Sequence, residues 1–396
     1  MPNIIKSALT PYKKGFQLQI PILHILPGLN IGGTEMLLFR LLKGMDNEQF
    51  RHVVVSMKEE GDVGAMISEM GVPVFSMGPR RKLSWIPGIR KVARIVREHK
   101  PAIIQGWLYH GNMVATMVHW MTGKKAALMW NIQQALHDPG YETKEVRRLI
   151  SLGARLSMRP DVIIYISEAG MRHHNKFGYY EDRSMVIHNG IDTGLFRPST
   201  ELRNKMRSEL NINEETTAVG LIARYSPVKD LDNFIEAAKL VLRDERDVVF
   251  VCAGPGLERE NSELMDKISE AGLDENIVLL GVRRNIQNLL PGLDIVVLSS
   301  KSEGFGMVIG EAMACGVPCV ATDVGDTAKL IGNTGLVVEP SNPHALAEGI
   351  SDYVALGPIL RKRRGEMARE RVVENYPLEK MIRQYEIVYR NTATNR

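Results

Sequence analysis

The sequence predicts an α/β protein built as two parallel-sheet domains that face each other across a cleft. Three observations carry this reading. A chain of 396 residues is longer than one hydrophobic core usually serves and points to two domains. Short apolar runs bounded by glycine and proline alternate with stretches of helical spacing, the pattern of strand–helix–strand crossovers. Each half also holds a glycine- or cation-rich corner between a strand and a helix, where open parallel sheets bind ligands.

Composition narrows the class. Apolar residues make up 44% and charged residues 24%, as in soluble globular proteins. The net charge of +4 is mild and no nucleic-acid motif is present, so no nucleic-acid partner is expected. Cys252, Cys315 and Cys319 have no metal spacing, and their odd number argues against a disulfide framework, which predicts a reducing cytoplasm. Residues 1–18 contain Lys6, Lys13 and Lys14 but no adequate apolar core, and read as a loosely ordered extension rather than a signal peptide. No run reaches the roughly 18 apolar residues of a membrane span.

The first domain is placed at 19–195. Strand 21–26 leads through Gly28, Gly32, Gly33 and Glu35 into a helix at 36–45. A strand, a glycine-rich turn and a helix form an anion-binding corner, here with neither P-loop nor dinucleotide spacing. Strands follow at 52–57 and 72–76. The stretch 80–91 interleaves Arg80, Arg81, Lys82, Arg90 and Lys91 with Trp85, Ile86 and Ile89, which suits an anionic bilayer surface or an ordinary cationic helix. Strand 102–105 ends near His110, a glycine-flanked histidine at the sheet's ligand edge. A strand at 126–132 precedes a polar loop, 133–145, whose His137, Asp138 and Tyr141 are expected to shape an acceptor entrance. A basic helix at 147–159, a strand at 161–167 and the turn His188-Asn189-Gly190-Ile191-Asp192 complete the domain, with the linker near 192–201.

The second domain, 196–376, opens with strand 217–223 and then Arg224 and Lys229, two cations between a strand end and a helix start that can clamp a diphosphate. Asp230 and Asp232 read as acids complementing the helix start rather than metal ligands. Strands 248–253 and 277–281 place Gly254 and Arg283 beside a nucleobase. The central stretch is 301–319, a turn and helix between strands at 294–298 and 318–322. Glu303 and Glu311 bracket its helix start, about 12 Å apart if both are helical. That distance matches the span from ribose to sugar across a diphosphate, with the helix N-terminus facing the phosphates. Glu303 can also be read as half of a capping box with Ser300, and Glu311 as part of a solvated helix face. A basic helix at 360–376 and a last amphipathic helix within 377–396 end the chain.

The stretch SEGFGMVIGEAMACGVPCVATDVG resembles the signature of the retaining glycosyltransferases of family 4, the group 1 set. The resemblance implies the GT-B fold: two Rossmann-like domains, with the terminal helix crossing back to the first. It implies a nucleotide-diphosphate sugar as donor and a hydroxyl acceptor. Carried onto this chain, Gly32, Gly33 and Glu35 face the donor's phosphates and sugar, and His110 touches the sugar being transferred. Arg224 and Lys229 neutralise the leaving diphosphate, and Glu303 orients the sugar hydroxyls. Gly254, Arg283, Gly304, Phe305, Gly306, Met307, Val308 and Glu311 bind the remainder of the donor. No metal and no cofactor are expected. The basic stretches at 80–91, 147–159 and 361–371 favour a lipid-linked or cell-envelope saccharide acceptor at the inner membrane face. The chain departs from the family pattern at Asp326 and Lys329, where many members have glycine and glutamate. A sugar-nucleotide epimerase, a soluble sugar synthase or phosphorylase, and a non-catalytic sugar-nucleotide sensor are the alternatives.

Overall fold

The computed structural model describes residues 19–78, 85–136, 140 and 143–394. The expected extension at 1–18, Arg80–Lys82 of the basic stretch, and His137, Asp138 and Tyr141 lie outside the described residues.

The first sheet comprises β1 (Ile20–Leu26), β2 (Phe50–Ser56), β3 (Val74–Ser76), β4 (Ile103–Trp107), β5 (Ala127–Ile132), β6 (Val162–Tyr165) and β7 (Ser184–Val186). Its helices are α1 (Gly33–Gly44), α2 (Gly61–Glu69), α3 (Trp85–His99), α4 (Leu108–Met121), α5 (Lys144–Leu156) and α6 (Glu168–Lys176). After the linker, helices α7 (Thr200–Glu209), α8 (Leu231–Asp244), α9 (Ser262–Ala271) and α10 (Ile286–Leu289) alternate with β8 (Thr217–Ile222), β9 (Val248–Ala253) and β10 (Ile277–Leu279). The second sheet is completed by β11 (Ile295–Leu298), β12 (Cys319–Thr322) and β13 (Leu336–Val338). Helices α11 (Met307–Ala314), α12 (Thr327–Ile331), α13 (Pro343–Ala355), α14 (Gly357–Asn375) and α15 (Leu378–Thr394) finish the chain.

Both sheets are parallel, in the orders β3-β2-β1-β4-β5-β6-β7 and β10-β9-β8-β11-β12-β13. The order reverses between β1 and β4 in the first and between β8 and β11 in the second. Crevices at the carboxyl ends of the strands open at these two points, which is where such sheets hold ligands. Apolar side chains bury both faces of each sheet. In the first domain α1, α2 and α15 cover one face and α3, α4 and α5 the other.

Helix α15 belongs to the first domain's core although it follows the second. Tyr385 and Tyr389 are fully buried there. Asn131 Nδ2 donates to Tyr385 Oη at 2.6 Å, and Tyr389 Oη donates to Gln105 Oε1 at 2.5 Å. The chain crosses back where Ile191 and residues 376–378 exchange backbone hydrogen bonds, both of 2.9 Å. The basic helix expected at 360–376 is α14, and three of its arginines, Arg361, Arg369 and Arg371, are tied to carbonyls, while Lys362, Arg363 and Arg364 are exposed. Arg369 donates to the carbonyls of Thr193, Phe196 and Ala314, while Arg371 donates to those of Lys329 and Leu330. Arg361 is buried against the carbonyls of Tyr353 and Val354. These guanidiniums satisfy helix-end and linker carbonyls, so they are unavailable to a bilayer.

Three buried histidines set the dependence of stability on pH. Trp107 Nε1 donates to His24 Nδ1, so His24 Nε2 donates to His52 Nδ1 at 3.1 Å. His174 Nδ1 donates to Gly170 O, leaving Nε2 to accept from the Tyr109 hydroxyl at 2.8 Å. Burial pushes His52 and His174 down to about 4, and holds His24 well below its usual range. Between pH 4 and 6.5 the unfolded chain therefore binds more protons than the folded one, and stability falls as pH drops through that window. Each histidine held near 4 costs about 2 kcal/mol of stability at pH 5. Glu311 acts oppositely, because burial raises its carboxyl to about 7 and stability falls as pH rises from about 4.5 to 7. Glu35, whose carboxyl burial also raises, acts with Glu311, and three histidines against these two carboxyls decide the sign. The melting temperature is expected to drop between pH 7.5 and 5, and more steeply in Glu311→Gln. A flat or rising profile would show that these imidazoles accept protons in the native state.

Candidate active site

Most of the predicted residues follow β1, β4, β8 and β11, the strands that flank the two switch points. From the first domain, Gly32 caps α1 in extended conformation, its carbonyl accepting the Met36 N–H at 3.0 Å, and Gly33 is already helical. The helix thus begins three residues before the predicted start. Its first N–H groups need no intrahelical partner and face the crevice. Glu35 lies in this first turn, and burial raises its carboxyl despite its own backbone N–H and nearby Lys58.

His110 lies in the first turn of α4. The glycine after it has a packing reason: a Cβ on Gly111 would stand 2.4 Å from Ile25 O, so glycine lets the helix lie against β1. His110 Nε2 is 3.7 Å from a Glu145 carboxylate oxygen and remains partly exposed.

From the second domain come the cations. Arg224 follows β8, is exposed, and makes no ion pair among the described residues. Lys229 closes the same loop, which is stitched to the exit of β11. Ser299 Oγ donates to Lys229 O at 2.8 Å, and Lys301 N donates to Val228 O at 2.8 Å. The Lys229 ammonium pairs with Glu303 Oε1, and Ser300 Oγ donates to that same oxygen at 2.8 Å. Ser300 and Glu303 are therefore bonded to each other, but they cap no helix: α11 begins at Met307 after Gly306. Glu303 stands in the turn ahead of the helix, so the spacing that assumes both glutamates helical does not apply.

The turn itself explains its glycines. Gly306 adopts φ 78°, the left-handed region closed to most side chains. A Cβ on Gly304 would lie 2.7 Å from Ile166 Cδ1 and 3.0 Å from Gln133 O, so this glycine makes room for the other domain. Phe305 departs from its expected role. Its ring is buried against His188 and Tyr376, at 5.3 and 5.4 Å between centroids, because the turn must anchor in the core to hold its shape. Only its backbone is left for a ligand. Met307 and Val308 are half-buried on the same core. Gly254 and Arg283 follow β9 and β10 at the far end of the sheet, Gly254 N bonding Gly281 O at 2.8 Å and Arg283 exposed. Asp230 and Asp232 turn to separate partners: Asp230 to Lys301 at 3.0 Å, Asp232 to Lys267 at 2.8 Å.

Three further residues join the two domains here. Arg40 of α1 reaches across to Glu311 at 3.6 Å. Only 16% of the Glu311 side chain is exposed, and burial outweighs Arg40 to leave the carboxyl near 7. Arg40 interrupts the apolar run Leu37-Leu38-Phe39-Arg40-Leu41-Leu42, the one sign of it in the sequence. Asp326 and Lys329, where the chain departs from the family pattern, reach the first domain: Asp326 meets the start of α6 and His188, and Lys329 pairs with Glu168.

Residues 31–195 match Glycosyltransferase Family 4, and residues 203–371 match Glycosyl transferases group 1. The chain belongs to the group 1 glycosyltransferases. Among curated relatives, this glycosyltransferase is 28% identical to N-acetyl-alpha-D-glucosaminyl L-malate synthase of Bacillus anthracis over 62% of either chain. It is 30% identical to the lipopolysaccharide core biosynthesis mannosyltransferase LpsB of Rhizobium meliloti, over 53% of this chain and 62% of that one. The match thus spans about three fifths of each relative's length. Its fold is that of Anabaena HepE solved with UDP and glucose, at TM-score 0.82 and 22% identity over 94% of this chain and all of that one. No helix of this glycosyltransferase, among the described residues, is long and apolar enough to cross a membrane.

Proposed function

We propose that the chain transfers a hexosyl group from a nucleoside-diphosphate sugar to an acceptor hydroxyl, with retained anomeric configuration and without a metal cofactor. The observation that supports this most is the Lys229–Glu303 pair beside exposed Arg224, held by loops at the β8/β11 switch point. Breaking the C1–oxygen bond leaves the electron pair, and so the negative charge, on the diphosphate. Arg224, Lys229 and the free N–H groups at the start of α11 are prearranged to take it. The departing phosphate oxygen accepts the acceptor hydroxyl's proton on the same face of the sugar, so the new C1–oxygen bond keeps the old configuration. Glu303 orients the donor's hydroxyls, Glu311 holds the ribose, Gly32, Gly33 and Glu35 line the phosphates and sugar, and His110 contacts the transferred sugar.

For the acceptor, α3, α4 and α5 expose one mixed basic and apolar surface. Ile86, Met117, Trp120, Met121, Leu152 and Met158 are exposed there. Lys144, Arg147, Arg148 and Arg155 border a shallow hollow of about 490 Å³ on α5. Such a surface suits the anionic face of a bilayer and a lipid-linked saccharide.

The test is a screen of UDP- and GDP-sugars for nucleoside diphosphate release and sugar transfer, with and without anionic vesicles and with EDTA. UDP-glucose comes first, since HepE has also been solved with it. Transfer that survives EDTA and yields the donor's anomer is expected. Inversion, dependence on a divalent ion, or turnover of donor alone to an epimer would overturn the reading.

A further inference from the structure

We propose that Asp326 is a positioning residue that ties closure of the two domains to the setting of the turn bearing Glu303. The inference rests on the transfer reading above for its kinetic consequence, but not for its geometry.

Only 4% of the Asp326 side chain is exposed. Its Oδ2 accepts the Glu168 N–H at 2.7 Å and its Oδ1 the Ala169 N–H at 2.9 Å, both at the start of α6 in the other domain. His188 Nε2 stands 3.2 Å from Oδ2. Ser167 Oγ takes the next N–H of α6, that of Gly170, at 3.0 Å. A carboxylate at a helix start meets both unpaired N–H groups and the positive end of the peptide dipoles, and charged acceptors make the stronger bonds. One turn further along α12, Lys329 pairs with Glu168 and reinforces the same junction.

The backbone of this segment holds the catalytic turn. Asp326 N donates to Gly304 O at 3.3 Å. Its neighbour Gly325 lies so close that a Cβ there would stand 2.3 Å from Glu303 O and 2.6 Å from Gly304 O. His188, the side-chain partner, packs against Phe305 of that turn, 5.3 Å between ring centroids with the rings tilted. Asp326 therefore grips the first domain with its carboxylate and bonds Gly304 with its main chain, while its neighbour Gly325 packs against the Glu303 carbonyl. Separating the domains would strip a buried carboxylate of all three side-chain partners, which costs far more than losing exposed contacts. Closure and the set of the turn are thereby coupled.

Two measurements test this. Glu69→Cys and Glu270→Cys place spin labels on exposed positions of α2 and α9, while Cys252, Cys315 and Cys319 are buried. In ligand-free protein, Asp326→Ala is expected to lengthen and broaden the interdomain distance distribution, and Asp326→Asn, which keeps one acceptor oxygen, to do so less. In the sugar-transfer assay Asp326→Ala is expected to lower kcat about 30-fold, with UDP affinity within about twofold of the parent. An unchanged distance distribution overturns the proposal even if the parent protein transfers no sugar at all. A lowered melting temperature with kcat intact also overturns it, leaving a merely structural contact. Should the parent prove inactive with every donor, the transfer reading falls and the distance measurement still decides this one.

Discussion

Lys229→Ala is expected to lower kcat by about 10²–10³-fold at saturating donor, and Arg224→Ala by a similar factor. Both cations stand at the end of β8, and the loop between them is fixed by hydrogen bonds from Ser299 and Lys301 rather than left to solvent. A charge already in place costs no reorganisation when the diphosphate departs, and in a cleft that excludes water it acts at close to full strength. The two substitutions should differ in character. Arg224 is exposed and makes no ion pair among the described residues, so its loss weakens UDP binding as well as turnover. Lys229 is engaged with Glu303 before the donor arrives, so its affinity for the ground-state diphosphate is already partly spent. Lys229→Arg should not restore activity, because a planar fork cannot replace a compact ammonium beside the Glu303 and Ser300 oxygens. Steady-state kinetics with a nucleotide-release assay checks all three. Losses under tenfold in both alanine variants would move the site elsewhere.

The parts of the molecule legible in the sequence are those fixed by local pattern. Buried parallel strands need continuous apolar runs, so β1, β5, β9 and β11 could be read within a residue or two. Strand-to-helix corners need glycine, small residues or cations, so Gly32, Arg224 and the turn before α11 stood out. The reading failed where a residue's reason lies in the other domain. Gly304 is expected among the donor contacts, and nothing in the sequence shows that its missing side chain also makes room for Ile166 and Gln133. Arg40 and Glu311 are 271 positions apart in the chain, and no periodicity links them. Asp326 registered only as a departure from a pattern, because its three side-chain partners all belong to the first domain. Arg361, Arg369 and Arg371 of α14 read as surface charge because sequence cannot show which carbonyls a helix end leaves unpaired.

Glu303→Gln separates binding from chemistry most sharply. In the ligand-free protein the Glu303 carboxylate neutralises Lys229 and accepts from Ser300 on the same oxygen. An incoming diphosphate must compete with that carboxylate for Lys229. Glutamine keeps an oxygen for Ser300 but releases the ammonium, so UDP should bind as tightly as before or up to about tenfold more tightly, consistent with the gain of a charge-assisted contact. Turnover should move the other way, by a factor of about 10² or more. The sugar gains positive charge at C1 as the bond to the diphosphate breaks, and on the proposed reading the carboxylate freed from Lys229 orients its hydroxyls and balances that charge. A variant that binds the product better while reacting more slowly has lost an interaction made chiefly in the transition state. Ser300→Ala keeps the charge and loses only one orienting hydrogen bond, so it should cost about tenfold or less. Isothermal titration with UDP and kcat at saturating donor give the two numbers for each variant. Weaker UDP binding with kcat intact would mean that Glu303 serves only to hold Lys229 in place, and the transferred sugar would then have to be oriented by His110 and the first domain alone.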